Sequence, residues 1–98
     1  MRGCVRIIGK REIVKFMTRH AASRSALQAW VEIAENAQWQ TTQDIKSDFA
    51  SASFIGGSRV IFNIGGNNYR LAVQAVLVRQ TLIVIWVGTH AEYSKLKF

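Results

Sequence analysis

The hydrophobic positions along the chain change period several times, and each change marks a structural element. Cys4-Val5-Arg6-Ile7-Ile8 is short and rich in β-branched residues and stops at Gly9, the pattern of a strand. From Lys10 the apolar side chains recur at three and four residues. Ile13, Phe16, Met17 and His20, with Lys15 and Arg19 between them, predict an amphipathic helix from Lys10 to about His20. His20 ends that helix and reads as a surface or terminal residue, not a catalyst. Ser23 or Ser25 can cap a second helix that carries Leu27, Trp30, Val31, Ala34 and Ala37 at helical spacing. Thr41 or Thr42 caps a short third helix, Gln43 to Phe49. There Asp44 suits the positive end of the helix dipole, and Ile45 and Phe49 give one apolar side.

Ser51 to Ser58 is small and polar, contains Gly56-Gly57, and reads as a loop. Three strands follow: Arg59 to Ile64, Tyr69 to Val78, and Thr81 to Val87. Gly65-Gly66-Asn67-Asn68 supplies the positive-φ residues of a tight hairpin turn. A two-residue loop at Gly66-Asn67 sets Ile64 against Tyr69, Phe62 against Leu71 and Val60 against Val73, an apolar face. The other face then pairs Asn63 with Arg70, Ile61 with Ala72 and Arg59 with Gln74. A slip of one residue would bury both arginines against the helices, so the register is self-consistent. In the second hairpin, leaving Arg79-Gln80 outside a Val78 and Thr81 pair sets Ile85 opposite Gln74. At Gly88 to Lys95 the period changes again, predicting a short C-terminal helix capped by Thr89. His90 and Tyr93 lie three apart on it, and Lys97 lies one turn further. The whole is an α+β chain, one domain over residues 1–98, with helices on one face of a mostly antiparallel sheet.

Composition narrows the function. The chain has 98 residues, 49% hydrophobic and 19% charged, enough for one folded core. Thirteen Lys and Arg against six Asp and Glu leave +7, so polyanions are the natural partners. The competing reading, charge that serves solubility alone, is separated by whether the basic residues gather on one face. Cys4 is the only cysteine, which excludes an internal disulfide, and with His20 and His90 far apart no zinc spacing exists. No metal or cofactor is expected. Neither a secretion signal at Met1 to Arg11 nor a membrane span fits, because Arg79-Gln80 interrupts the apolar run from Leu71 to Gly88. A reducing, cytoplasmic setting is expected.

Both strand arginines point one way, and strand pairing brings the end of the third strand near Arg70. Arg59, Arg70 and the His90 segment are thus expected to surround a phosphodiester. An arginine to hold phosphate, a histidine and a tyrosine hydroxyl are the ingredients of RNA cleavage without a metal. The RNA's own 2′-OH attacks the adjacent phosphate, and the enzyme orients it, moves protons and neutralises developing charge.

Arg59-Val60-Ile61-Phe62-Asn63-Ile64, Gly66-Asn67-Asn68-Tyr69-Arg70-Leu71 and Gly88-Thr89-His90-Ala91-Glu92-Tyr93 follow Trp39 and the Asp44-Ile45-Lys46 helix in that order. With these motifs the chain resembles the HigB branch of the RelE-like toxins, ribosome-dependent mRNA interferases of type II toxin–antitoxin modules. The resemblance covers nearly the whole chain. It implies a β-α-α-β-β-β(-α) domain whose concave sheet face receives mRNA in the 30S decoding site. It also implies neutralisation by a HigA-like helix-turn-helix antitoxin, through which alone operator DNA is bound. By position it implies Arg70, His90 and Tyr93 as catalytic residues. Arg59, Asn63, Asn67, Gln74, Lys95 and Lys97 are implied as RNA contacts. Three positions depart from the family pattern: relatives often carry a basic residue at Asn68, another at Ile85, and an acid at Ser94. A charge missing from the RNA face would weaken activity. Two other classes remain to be separated from the nuclease: a non-catalytic RNA-binding homologue that still pairs with its antitoxin, and a DNA-binding regulator acting alone, for which no helix-turn-helix pattern is present.

Overall fold

A computed structural model describes residues 5–66 and 68–96. The elements in chain order are β1 (Arg6–Ile8), α1 (Lys10–Arg19), α2 (Arg24–Glu35), α3 (Thr42–Asp48), β2 (Ser53–Phe54), β3 (Arg59–Ile64), β4 (Tyr69–Val76), β5 (Thr81–Thr89) and α4 (His90–Ser94). Short 3-10 turns at Ala21–Ser23 and Leu77–Arg79 precede α2 and β5. The five strands form one sheet in the order β1-β5-β4-β3-β2, antiparallel except for the parallel β1–β5 pair. This is the expected α+β architecture.

One sheet face carries Val60, Phe62, Ile64, Leu71, Val73, Ala75 and Leu82, all buried, and α1 to α3 close over it with Ile13, Phe16, Leu27, Trp30 and Ile45. Trp30, Trp39 and Phe49 each set a ring against Phe62, so four aromatic side chains lock the helices to the sheet centre. Such pairs add about 0.5–1.5 kcal/mol each beyond the area they bury. The Trp39 indole N–H also donates to Asp48 Oδ2 at 2.8 Å, which ties the chain before α3 to the end of that helix.

The helix ends follow the local chemistry with one exception. Thr41 caps α3 through a reciprocal box, its hydroxyl accepting from the Asp44 N–H while the Asp44 carboxylate accepts from the Thr41 N–H. Thr89 and Glu92 form the same box at α4. Ser23 does occupy the cap position of α2, but its hydroxyl donates to the His20 carbonyl within the 3-10 turn and caps nothing. His20 itself terminates α1, half-buried and stacked on Phe16 at 4.2 Å.

The first hairpin has the expected register at every pair from Arg59↔Gln74 to Ile64↔Tyr69. Gly66, at φ 62°, provides the backbone twist that its turn requires. The second hairpin corrects the expectation. Leu77–Arg79 coils into a 3-10 turn, which makes Val76↔Thr81 the last pair and sets Ile83, not Ile85, opposite Gln74. A bulge then shifts the register between Ala72 and Val73, leaving Ile85 between Val84, paired with Val73, and Trp86, paired with Ala72. Ser51 to Ser58 is likewise not all loop, since Ser53 and Phe54 add an edge strand to β3.

Candidate nucleic-acid interface

The sheet face turned away from α1 to α3 carries Arg59, Ile61 and Asn63 from β3, Arg70, Ala72 and Gln74 from β4, and Trp86 and Gly88 from β5, by alternation and register. Arg6 of β1 joins it opposite Thr81. Charge separates the two layers sharply. The four helices hold six basic residues (Lys10, Arg11, Lys15, Arg19, Arg24, Lys46) and all six acids of the chain (Glu12, Glu32, Glu35, Asp44, Asp48, Glu92), so their formal charges cancel. No strand contains an acid, while Arg6, Arg59 and Arg70 are strand residues. The +7 of the chain is therefore carried by residues outside the helices, among them Arg6, Arg59 and Arg70 of this face.

Arg70 is the centre of this face. It pairs with Asn63 on one side and Gly88 on the other, and it is only 8% exposed. A buried guanidinium must be held by polar or aromatic partners. Nη1 donates to the Tyr69 carbonyl at 3.2 Å, and the guanidinium carbon lies 5.7 Å from the centroid of the Tyr93 ring, within cation–π reach. Tyr93 comes from α4, and its position follows from the capping box that starts this helix directly where β5 ends. The Tyr93 ring in turn lies 6.2 Å from the Trp86 indole. Arg70, Tyr93 and Trp86 thus form one contiguous group.

The other anticipated residues are arranged around it. His90 opens α4, exposed, with its backbone N–H donating to the Asn68 carbonyl, which fixes its main chain at the rim beside the first hairpin. Asn63 is half-buried opposite Arg70. Lys95 is exposed immediately after α4. Arg59 shares the face with Arg70 but is four residues away along the ladder, about 13 Å at ~3.3 Å per residue. Its Nε lies 3.8 Å from where a Gly57 Cβ would stand, so the side chain turns toward the 56–58 loop. Arg59 and Arg70 therefore share the face at separate points along it, one beside the 56–58 loop and the other beside Tyr93. Gln74 is engaged within the fold, its amide N–H donating to the Gly57 carbonyl at 2.5 Å. Asn67 and Lys97 lie outside the described residues. Among the departures from the family pattern, Asn68 and Ile85 are exposed, and the Ser94 hydroxyl donates to the His90 carbonyl inside α4.

Trp86 is the member of the group that sequence reasoning missed. The expected second-hairpin register, continued, sets Trp86 against Val73 on the helix-facing side, and the bulge reverses it. A usable signal was present two residues on. Gly88 points the same way as Trp86, and the indole ring occupies the space its missing side chain leaves: a Cβ there would stand 2.5 Å from Trp86 Cη2.

A fixed cation, an aromatic hydroxyl, an exposed imidazole and an indole on an acid-free sheet suit a phosphodiester flanked by bases. The model of the family HigB_toxin, described as the RelE-like toxic component of a toxin-antitoxin system, matches residues 23–96, which includes every strand of this face except β1. No curated protein matches the chain. No helix among the described residues is long and apolar enough to cross a membrane.

Proposed function

The chain belongs to the HigB toxin family, the RelE-like toxic components of toxin-antitoxin systems, and from that membership together with the open sheet face we propose that it is an endoribonuclease that cleaves mRNA on the ribosome. The 2′-OH attacks the adjacent phosphorus and the 5′-oxygen departs, leaving a 2′,3′-cyclic phosphate and a free 5′-OH. Arg70 stabilises the charge that builds on the phosphoryl oxygens, the kind of contribution worth about 10²–10³ in rate. His90 and Tyr93 are the groups that move protons to and from the two ribose oxygens. Arg59, Asn63 and Lys95 hold flanking nucleotides, and the same role falls to Asn67 and Lys97 by family resemblance alone. Cleavage halts translation, and a HigA-like antitoxin neutralises it in the cytoplasm.

The observation that carries this reading is the placement of Arg70 against the Tyr93 ring at the middle of a sheet whose strands contain no acid. Incubation of the purified protein with translating ribosomes tests it: new mRNA ends bearing 2′,3′-cyclic phosphate are expected. The 8% exposure of Arg70 favours a second reading, a non-catalytic homologue that binds RNA and its antitoxin. Ribosome or RNA binding with no new ends is the outcome that selects it.

A further inference from the structure

A cavity of about 500 Å³ opens where the last turn of α1 meets β5 and α4, with Trp86 but not Tyr93 in its lining. Its size is that of sites for small molecules, roughly 300–1,000 Å³. Arg19 and His20 form the α1 wall, Trp86 and Val87 the β5 wall, and Glu92 the α4 wall. Each contributes a different chemistry. Arg19 is exposed and makes no salt bridge among the described residues. Trp86 is half-buried, held by its position over Gly88. The Glu92 carboxylate already accepts from the Thr89 N–H at 2.9 Å through Oε1, and a carboxylate has capacity for further donors.

We infer that this cavity is a nucleotide subsite, in which Trp86 stacks a nucleobase of single-stranded RNA next to the phosphate at Arg70 while Arg19 binds the neighbouring phosphate. The inference rests on the reading of the protein as an RNA-binding toxin and adds to it the point at which a base is gripped. Stacking on an aromatic face tolerates any base, whereas the negative end at Glu92 accepts base N–H groups and repels phosphate, so the nucleotide enters with its phosphate toward α1. The RNA path then runs from the open sheet face around the β5 edge. Trp86 is the wall shared by the two sites.

Tryptophan emission tests this directly, because Trp30 and Trp39 are 1% and 2% exposed and Trp86 alone is half-buried. The probe is a 2′-O-methyl RNA dodecamer, which cannot be cut by 2′-OH attack. Binding is expected to quench the emission and shield it from acrylamide. Trp86→Leu should lose that signal and bind about tenfold more weakly. Arg19→Ala, at an exposed position that folding does not require, should lower the salt dependence of binding by about one phosphate contact. Unchanged emission on binding, no binding at all, or an Arg19→Ala salt slope equal to wild type would overturn the subsite. Cleavage on translating ribosomes is scored separately. Cutting by wild type with no role for Trp86 removes only the subsite, and quenching without cutting removes only the nuclease.

Discussion

The Arg70 guanidinium lies against the Tyr93 ring at 5.7 Å, so the cation at the centre of the sheet is oriented by a residue from the last helix. The two should therefore separate by substitution. Tyr93→Phe keeps the ring over Arg70 and removes only the hydroxyl. It is expected to slow mRNA cleavage about 100-fold through loss of the proton-transferring hydroxyl. Arg70→Lys keeps the charge but not the planar fork, and should slow cleavage at least as much. Thermal melts alongside ribosome cleavage assays read both. Wild-type cleavage by Arg70→Lys would remove Arg70 from the reaction.

Gly88→Ala is expected to be costly out of proportion to one methyl group. The added Cβ would stand 2.5 Å from Trp86 Cη2 and 2.7 Å from Glu92 Oε1, so the indole and the α4 cap must both shift. Overpacking of this kind costs about 1–3 kcal/mol, visible as a lower denaturation midpoint together with a change in Trp86 emission. A midpoint equal to wild type would mean that the indole moves aside freely.

Asp48→Ala leaves the Trp39 indole N–H without its acceptor in a residue 2% exposed. An unsatisfied buried donor costs about 1–3 kcal/mol, and urea denaturation should show a loss in that range although Asp48 itself is exposed. Cleavage should fall only as the folded fraction falls, since Trp39 is on the helix side of the sheet.

Asp44 gives the stability a defined acid dependence. The backbone N–H of Gln40, and after it that of Thr41, hold its carboxyl below the ordinary value of 3.8. A group depressed on folding contributes stability above its unfolded pKa and loses it as pH falls through the folded value. The difference in melting temperature between wild type and Asp44→Ala should accordingly be constant from neutral pH down to about pH 5 and shrink below pH 4. A difference that widened on acidification would contradict the assigned direction.

The legible parts of the fold were those set by local chemistry. Gly65 to Asn68 fixed the first turn, and the turn fixed which face Arg59, Asn63 and Arg70 share. Thr89 announced α4 in the same way. What stayed hidden depends on tertiary fit. Nothing in Val76 to Thr81 marks a 3-10 turn against two more strand residues, and no local pattern marks the bulge beyond Val84, yet the turn moves the register by two residues and the bulge decides where Trp86 points. The two-residue strand Ser53–Phe54 is too short for any periodicity. Alternation also says which face holds Arg70 but not what lies on top of it, so its burial under Tyr93 was out of reach. Gln74 shows the converse, a polar residue on the face away from the helices whose amide N–H donates to the Gly57 carbonyl, a contact that strand alternation does not reveal.

Cancellation of charge within the helices, with arginines alone along the strands, makes the molecule an electrical arrow. Near a polyanion it experiences a torque as well as an attraction, so encounters begin with the strands leading and few collisions are wasted on the wrong side. Because the orienting field decays within roughly 8 Å at physiological ionic strength, raising the salt should slow capture more steeply than it speeds release.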